Sequence, residues 1–129
     1  MIGWLNSMCQ IVDWKELRTI EDGCGGIIYK ILDVDNSGLK NVEIAMCVFS
    51  PGEIADLHYH EVMEEIYFFI EGEGEIELDG IWHKVKAEDA VAISVKTRHR
   101  IRNSSIEKPL RFLSVNSPFW REDDMIRIK

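Results

Sequence analysis

Short stretches rich in β-branched and aromatic residues recur along the chain, and turn-forming residues separate them. The breaks include Ser50-Pro51-Gly52, Gly72-Glu73-Gly74 and residues 103–105. No stretch has the length and the 3.6-residue period of a long helix. The pattern therefore predicts an all-β sandwich or barrel, with strands at residues 42–49, 66–70, 75–78, 81–85, 90–95, 99–102 and 110–115.

The clearest local signal is a hairpin. Residues 75–85 alternate in polarity on both sides of Asp79-Gly80, a dipeptide that favours the tight turns joining antiparallel strands. The sequence predicts the hairpin tip at these two residues. At the chain ends, Asp13 is placed to cap one helical turn over residues 13–18, and residues 116–129 are expected to pack along the barrel wall.

Length and composition bound the class of protein. The chain has 129 residues, 46% hydrophobic and 29% charged, which predicts one globular domain over residues 1–129 with its barrel core at about 27–116. The net charge of −8 argues against nucleic acid as a partner, because phosphate binding needs an excess of Lys and Arg. No apolar run could cross a membrane or form a secretory signal in residues 1–20, so a cytoplasmic location without a membrane partner is expected.

The chain has three cysteines, Cys9, Cys24 and Cys47. They form neither an even disulfide set nor a paired metal-binding spacing, so we expect reduced thiols. Cys47 lies in an apolar predicted strand and is interpreted as a small core residue.

A group of histidines and one acid carries the candidate chemistry. His58 and His60 are two apart, so on a strand both imidazoles point to the same side. Residues 61–64 are long enough for a turn, after which Glu65 could return to the same point, and a closed sheet could bring His99 opposite. A surface histidine pair beside a solvated acidic turn would have the same spacing, so spacing alone leaves metal binding open.

Three imidazole nitrogens and one carboxylate oxygen would suit one divalent transition metal ion. Fe(II), Mn(II), Ni(II), Co(II) and Zn(II) accept such mixed ligands, whereas Ca²⁺ and Mg²⁺ prefer oxygen alone. The sequence does not choose among the five.

Residues 52–72 carry Gly52, His58, His60, Glu65 and Gly72, and residues 88–103 carry His99 and Asn103. These two stretches resemble the first and second motifs of the cupin superfamily, small single-domain members in particular. In the second motif, Glu88, Ser94 and Lys96 replace the family's glycine, proline and glycine, which predicts an altered loop before the ligand position. The resemblance implies a double-stranded β-helix, the cupin or jelly-roll barrel, with a metal ion inside one end.

Further residues are candidates for binding a small-molecule ligand. Strand alternation from Glu65 sends Tyr67 and Phe69 into the barrel, where they could line a pocket. Lys96 and Arg98 precede the strand of His99, near the expected mouth, and could bind a substrate carboxylate or phosphate.

The resemblance leaves the function open, because one fold supports many activities. The leading hypothesis is an enzyme that uses the metal as a Lewis acid on a small polar metabolite, as in sugar or sugar-phosphate isomerisation. The alternatives are an Fe(II)-dependent dioxygenase and a non-catalytic ligand-binding or sensor module. No catalytic base can be named from the sequence. A homodimer is expected, with the apolar residues Ile2, Trp4 and Leu5 covering a sheet edge or a partner surface.

Overall fold

The protein folds into two antiparallel sheets. The computed structural model describes residues 11–16, 19–20 and 25–129. One four-residue helix, α1, spans Val34–Ser37, and 3-10 turns lie at Trp14–Glu16 and Glu122–Asp124. The strands are β1 (Thr19–Ile20), β2 (Ile27–Leu32), β3 (Glu43–Phe49), β4 (His58–His60), β5 (Glu64–Glu71), β6 (Glu73–Leu78), β7 (Ile81–Lys86), β8 (Ala90–Ile93), β9 (His99–Arg102), β10 (Leu110–Ser117) and β11 (Met125–Arg127).

The strand order identifies the architecture. One sheet has the order β1-β2-β3-β10-β5-β8 and the other β11-β4-β9-β6-β7. Successive parts of the chain cross between the two sheets, as in a double-stranded β-helix, so the predicted fold class is confirmed. The seven predicted strands agree with observed strands to within two residues at each end.

The hairpin between β6 and β7 has its tip where the sequence predicts it. Leu78 pairs with Ile81, and the two residues between them, Asp79 and Gly80, have φ of 48° and 88°. Two successive positive φ values are the signature of the type I′ turn, whose twist matches that of the strands.

Acidic caps begin the short helical pieces near the N-terminus. The Asp13 carboxylate accepts the backbone N–H of Lys15 at 3.0 Å, which confirms the predicted cap on a turn that the structure gives as Trp14–Glu16. Helix α1 was not predicted. Its capping box pairs the Asp33 carboxylate with the N–H of Asn36 while the Asn36 side chain accepts the N–H of Asp33, a pattern too short to produce a helical period.

Inward-facing residues of the six-stranded sheet form transverse rows along the hydrogen-bonded ladder, and the rows change in polarity from one end to the other. The row at the polar end consists of polar residues, the second row mixes polar and apolar residues, and the remaining rows are apolar. From the polar end the rows are Glu43, Asn116 and Glu65; then Lys30, Ala45, Ser114 and Tyr67; then Ile28, Cys47, Phe112 and Phe69; then Phe49 and Leu110.

The apolar end is closed by packed aromatic rings. The Phe112 ring centroid lies 5.7 Å from that of Phe49 and 5.2 Å from that of Phe69, and all three side chains are buried. Cys47 is buried in this cluster, as predicted, whereas Cys9 and Cys24 lie outside the described residues. Within the described part of the chain, no helix is long and apolar enough to cross a membrane.

Candidate metal centre

The four predicted ligands meet at the polar end of the barrel. One candidate ligand atom from each residue lies within 4.8 Å of those of the other three, and all four side chains are buried. The group consists of His58, His60, Glu65 and His99, and it could bind one metal ion.

Local strand geometry explains the convergence. His58 and His60 occupy alternate positions of β4 and both are buried, while Tyr59 between them points the other way. His58 is the ladder partner of His99 on β9. On β5, Glu65 is buried and Glu64 is exposed, so alternation selects the ligand as expected.

Two backbone hydrogen bonds fix which nitrogen of each imidazole faces the centre. His58 Nδ1 donates to the carbonyl oxygen of Asp56 at 2.8 Å, and His99 Nδ1 donates to that of Thr97 at 2.8 Å. A carbonyl oxygen can only accept, so the neutral rings carry their protons on Nδ1 and present Nε2 lone pairs to the centre.

Unpartnered acceptor atoms at the centre test whether a metal would fit. His99 Nε2 lies 3.0 Å from Glu65 Oε1, and both atoms are buried without a hydrogen-bond partner among the described residues. A neutral imidazole lone pair facing a carboxylate at this distance needs a positive charge between or beside them, either a proton or a metal ion. The donor set therefore fits a divalent cation.

The pKa shifts of His58, His60 and Glu65 favour the charge states that bind metals, whereas that of His99 opposes them. Burial lowers the pKa of His58 to about 4, with the nearby His99 lowering it further, and burial also lowers the pKa of His60. Burial would raise the pKa of Glu65, but its contact with His99 and the other imidazoles outweighs burial and lowers it. For His99 burial lowers the pKa, but contact with Glu65 outweighs it and the net shift is upward. Neutral imidazoles and an ionised carboxylate are the forms that bind metals.

Asp124 is a site residue that the sequence analysis missed. Its side chain is buried, and its Oδ2 lies 3.4 Å from His60 Nδ1. The same carboxylate accepts the backbone N–H groups of Glu61, Val62 and Met63, at 3.2, 2.9 and 3.0 Å. It thus contacts one ligand and holds the turn that leads to the next.

A cavity adjoins the centre, and its far wall is polar. Glu43 Oε2 accepts the side-chain N–H of Asn116 at 2.7 Å, and Ser114 Oγ donates to Asn116 Oδ1 at 3.0 Å. Lys30 Nζ lies 5.0 Å from the ring centroid of Trp120. These residues line the cavity together with His58, His60 and Glu65.

The predicted ligand-binding residues differ in position. Tyr67 lines the cavity, while Phe69 is fully buried in the aromatic cluster behind it. Lys96 and Arg98 are exposed and are not among the residues that line the cavity. The backbone N–H of Lys96 donates to the carbonyl oxygen of His60 at 2.6 Å, so this loop contacts the site through its main chain.

The two residues that replace family glycines have backbone conformations that glycine adopts readily. Glu88 has φ 77° and Lys96 has φ 66°, both in the left-handed region that glycine adopts readily. At these two positions the chain keeps a glycine-type conformation with side chains that disfavour it, and His99 still reaches the centre.

The comparison with known families agrees with this fold and site. A family model described as "Cupin domain" matches residues 45–116, more than half of the chain and most of the barrel. The chain therefore belongs to the cupin family.

Two curated relatives show where similar sequences occur. "Polyketide synthase CurC" of Streptomyces cyaneus is 30% identical over 99 residues, which are 77% of this chain and 64% of that protein. "Uncharacterized protein MJ1618" of Methanocaldococcus jannaschii is 34% identical over 101 residues, covering 78% of this chain and 79% of that protein. The chain thus spans less than two thirds of the Streptomyces relative's length.

Solved structures show the same fold. The polyketide cyclase RemF from Streptomyces resistomycificus superposes with a TM-score of 0.80 at 21% identity, over 95% of this chain and 87% of that one. A predicted oxalate decarboxylase from Thermotoga maritima superposes with a TM-score of 0.74 at 27% identity, over 85% of this chain and all of the other.

Proposed function

We propose that the protein is an enzyme that binds one divalent transition metal ion, Fe, Mn, Ni, Co or Zn, and acts on a small polar carbonyl compound. The observation that carries this proposal is the set of buried acceptor atoms of His58, His60, Glu65 and His99, which converge beside a cavity. A metal bound there would act as a Lewis acid, polarising a carbonyl or hydroxyl oxygen of the substrate.

Glu43 is the proposed proton-transfer residue. It is a buried carboxylate in the same inward row as Glu65, with Asn116 between them. Adjacent strands are about 4.8 Å apart, so the backbones of the two acids are roughly 10 Å apart. The hydrogen bond from Asn116 fixes Oε2 of Glu43, which lines the same cavity as Glu65. Glu43 would take a proton from the hydroxyl-bearing carbon next to a polarised carbonyl and return it to the carbonyl carbon, while the hydroxyl proton moves to the former carbonyl oxygen.

Lys30 narrows the substrate class. Its ammonium group lines the cavity above Trp120, and no carboxylate of the described residues lies within ion-pair distance of it. Such a group attracts a negatively charged part of a ligand. We therefore propose an anionic hydroxy- or keto-compound, and isomerisation of a keto-sugar phosphate fits this chemistry.

A second candidate is ring closure of a polyketide. The names of the curated Streptomyces relative and of RemF favour it. Ring closure can begin with the same proton removal next to a carbonyl, so Glu43 and the metal centre would serve both reactions.

Metal content is the first test. The protein is purified without added metal and analysed by elemental analysis, then stripped with a chelator and titrated with Zn²⁺, Ni²⁺, Co²⁺, Mn²⁺ and anaerobic Fe²⁺. We expect one equivalent of one of these ions. A protein that neither retains nor binds any of them contradicts the proposed function.

Proton exchange tests the reaction class. The metal-loaded protein is incubated in D₂O with a panel of keto-sugar phosphates and short polyketide analogues, and ¹H NMR follows loss of signal next to the carbonyl. We expect Glu43→Gln to slow exchange by roughly 100-fold or more while it retains its metal. Equal exchange rates in the wild type and the variant would exclude Glu43 as the base. Oxygen uptake by the iron-loaded protein, without exchange, would instead support the alternative of an Fe(II)-dependent dioxygenase.

We also propose that two copies associate through the outer face of the six-stranded sheet. Ile66 and Phe68 are 50% and 39% exposed there and pair in the ladder with Val115 and Leu113, forming an apolar patch. Sedimentation velocity should show a dimer that Phe68→Lys dissociates. A wild-type monomer at micromolar concentration would contradict this assembly.

A further inference from the structure

The turn between the two metal-binding strands is held by a single side chain from a distant part of the chain. Asp124 accepts three consecutive backbone N–H groups, those of residues 61–63, and these residues join His60 to Glu65. Strand β11, which begins at Met125, pairs with β4 and places Met125 opposite His60. The C-terminal segment thereby delivers the carboxylate to the turn.

The same carboxylate lies beside a ligand imidazole. Its Oδ2 is 3.4 Å from His60 Nδ1, while His60 Nε2 on the opposite edge of the ring is 3.6 Å from Glu65 Oε1. A carboxylate only accepts hydrogen bonds, so it favours the ring form that carries its proton on the side facing Asp124. That form leaves the lone pair on Nε2, the nitrogen that faces the metal centre. His58 and His99 reach the same form through backbone carbonyls.

We propose that Asp124 is a positioning residue of the metal centre, which selects the metal-binding form of His60 and fixes the turn that sets the spacing of His60 from Glu65. This inference rests on the proposed metal-binding function. An acidic group that orients a metal-binding imidazole raises affinity for the ion without touching it. Asp124 contacts His60 on β4 and holds the turn that leads to Glu65 on β5, so one side chain positions two ligands.

The variant Asp124→Asn separates positioning from general support of the fold. Asparagine keeps Oδ1, which can still accept the N–H groups of Glu61 and Val62. It replaces Oδ2, which also accepts the N–H of Met63 at 3.0 Å, with an NH₂ group that can only donate, so one of the three turn contacts is lost as well. That group favours a lone pair on His60 Nδ1 and a proton on Nε2, the form that cannot bind the metal through Nε2. The matched control is Asp123→Asn, because the Asp123 side chain is 81% exposed.

Metal affinity is the first measurement. Chelator-treated wild type, Asp124→Asn and Asp123→Asn are titrated with Zn²⁺ or Ni²⁺ by competition with a chromophoric chelator. We expect the dissociation constant of Asp124→Asn to rise roughly 10- to 100-fold and that of Asp123→Asn to stay at the wild-type value. Wild-type affinity in Asp124→Asn would overturn the inference.

The form of the His60 ring is the second measurement, and it needs no metal. Long-range ¹H–¹⁵N spectra of ¹⁵N-histidine-labelled, metal-free wild type should show the His60 proton on Nδ1, and those of Asp124→Asn should show it on Nε2. A wild-type proton on Nε2 would overturn the inference even if the variant fails to fold. If the wild type binds no metal, the proposed function fails, and the ring form still decides separately whether Asp124 orients His60.

Discussion

The two ends of the barrel interior are built from the same strands but bury opposite chemistry. At one end, β3, β10 and β5 turn Glu43, Asn116 and Glu65 inward, and at the other they turn Phe49, Phe112 and Phe69 inward. Apolar burial at the closed end supplies stabilisation in proportion to its area. Burying charge and unpartnered nitrogen at the open end costs free energy unless each group has a partner.

The difference shows how the fold sustains a polar interior. Glu43 has Asn116 as its partner, and His58 has the Asp56 carbonyl. His60 Nδ1 and the facing atoms of Glu65 and His99 lack hydrogen-bond partners among the described residues. The packed apolar end, here called the closed end, therefore stabilises the barrel. At the polar end, here called the open end, a bound cation would balance the buried acceptor atoms. Substitutions at the closed end should therefore lower the free energy of unfolding, whereas substitutions at the open end should weaken metal binding.

The largest effect is expected at the closed end. Phe112→Ala removes a ring that is 2% exposed and packs against two others, so the free energy of unfolding should fall by about 3–5 kcal/mol. Urea denaturation followed by tryptophan fluorescence measures this. The control is Leu113→Ala, whose side chain faces outward on the same strand and should cost clearly less. Equal losses would show that the closed end is not the main source of stability.

Acid should destabilise the open end of the metal-free protein. The pKa of His58 falls from 6.5 to about 4 on folding, so the folded state binds this proton less tightly than the unfolded state. The stabilisation is complete above pH 6.5 and is lost as the pH falls from 6.5 toward 4, by up to about 3 kcal/mol. The lowered pKa values of His60 and Glu65 act in the same direction, while the raised pKa of His99 opposes them.

Urea unfolding of chelator-treated protein at pH 7 and pH 5 checks this dependence. His58→Asn should show a smaller loss between the two values than the wild type. Saturating metal should move the whole loss to lower pH, because protons must then displace the ion. A wild-type stability that rises on acidification would contradict the assigned charge states.

Removal of a ligand should weaken metal binding and leave the closed end intact. Glu65→Ala should raise the metal dissociation constant by more than roughly 100-fold, beyond the effect typical of residues that only orient a ligand. Glu64→Ala is the matched control, because its side chain is exposed on the same strand. Isothermal titration with Zn²⁺ measures both. Stronger loss in Glu64→Ala would refute the register of β5.

The smallest effect is expected in the loop before His99. Lys96 is exposed at φ 66°, so Lys96→Gly should relieve left-handed strain and raise the free energy of unfolding by about 0.5–1 kcal/mol. Thermal unfolding detects a gain of this size. Lys86→Gly, at an exposed strand position, should instead destabilise the protein.

The ligand set could be predicted because its signals are local. The spacing of His58 and His60 combines with strand alternation, and Glu65 follows after one turn. His99 follows a loop in which Lys96 adopts a positive φ that its side chain disfavours. For this reason the sequence predicted His99 less clearly than the other three ligands. The strands were predictable for the same reason, since alternation and turn residues act over a few positions.

The other groups around the site could not be predicted because their contacts are distant in sequence. Asn116 is 73 residues from Glu43, and Asp124 is 61 residues from Met63. Lys30 lies on β2, whose residues are all half-buried and show no alternation. Pairing of β3 with β2 and with β10 brings Lys30 and Asn116 to the cavity, and pairing of β11 with β4 brings Asp124 beside His60.

Ala45 occupies the row directly behind Glu43, between Lys30 and Ser114, and its methyl group is part of the cavity floor. A longer side chain there would fill space without altering any metal ligand or the Glu43–Asn116 pair. Related barrels could therefore accept ligands of different length through substitutions at this one position, with the candidate metal ligands and Glu43 unchanged.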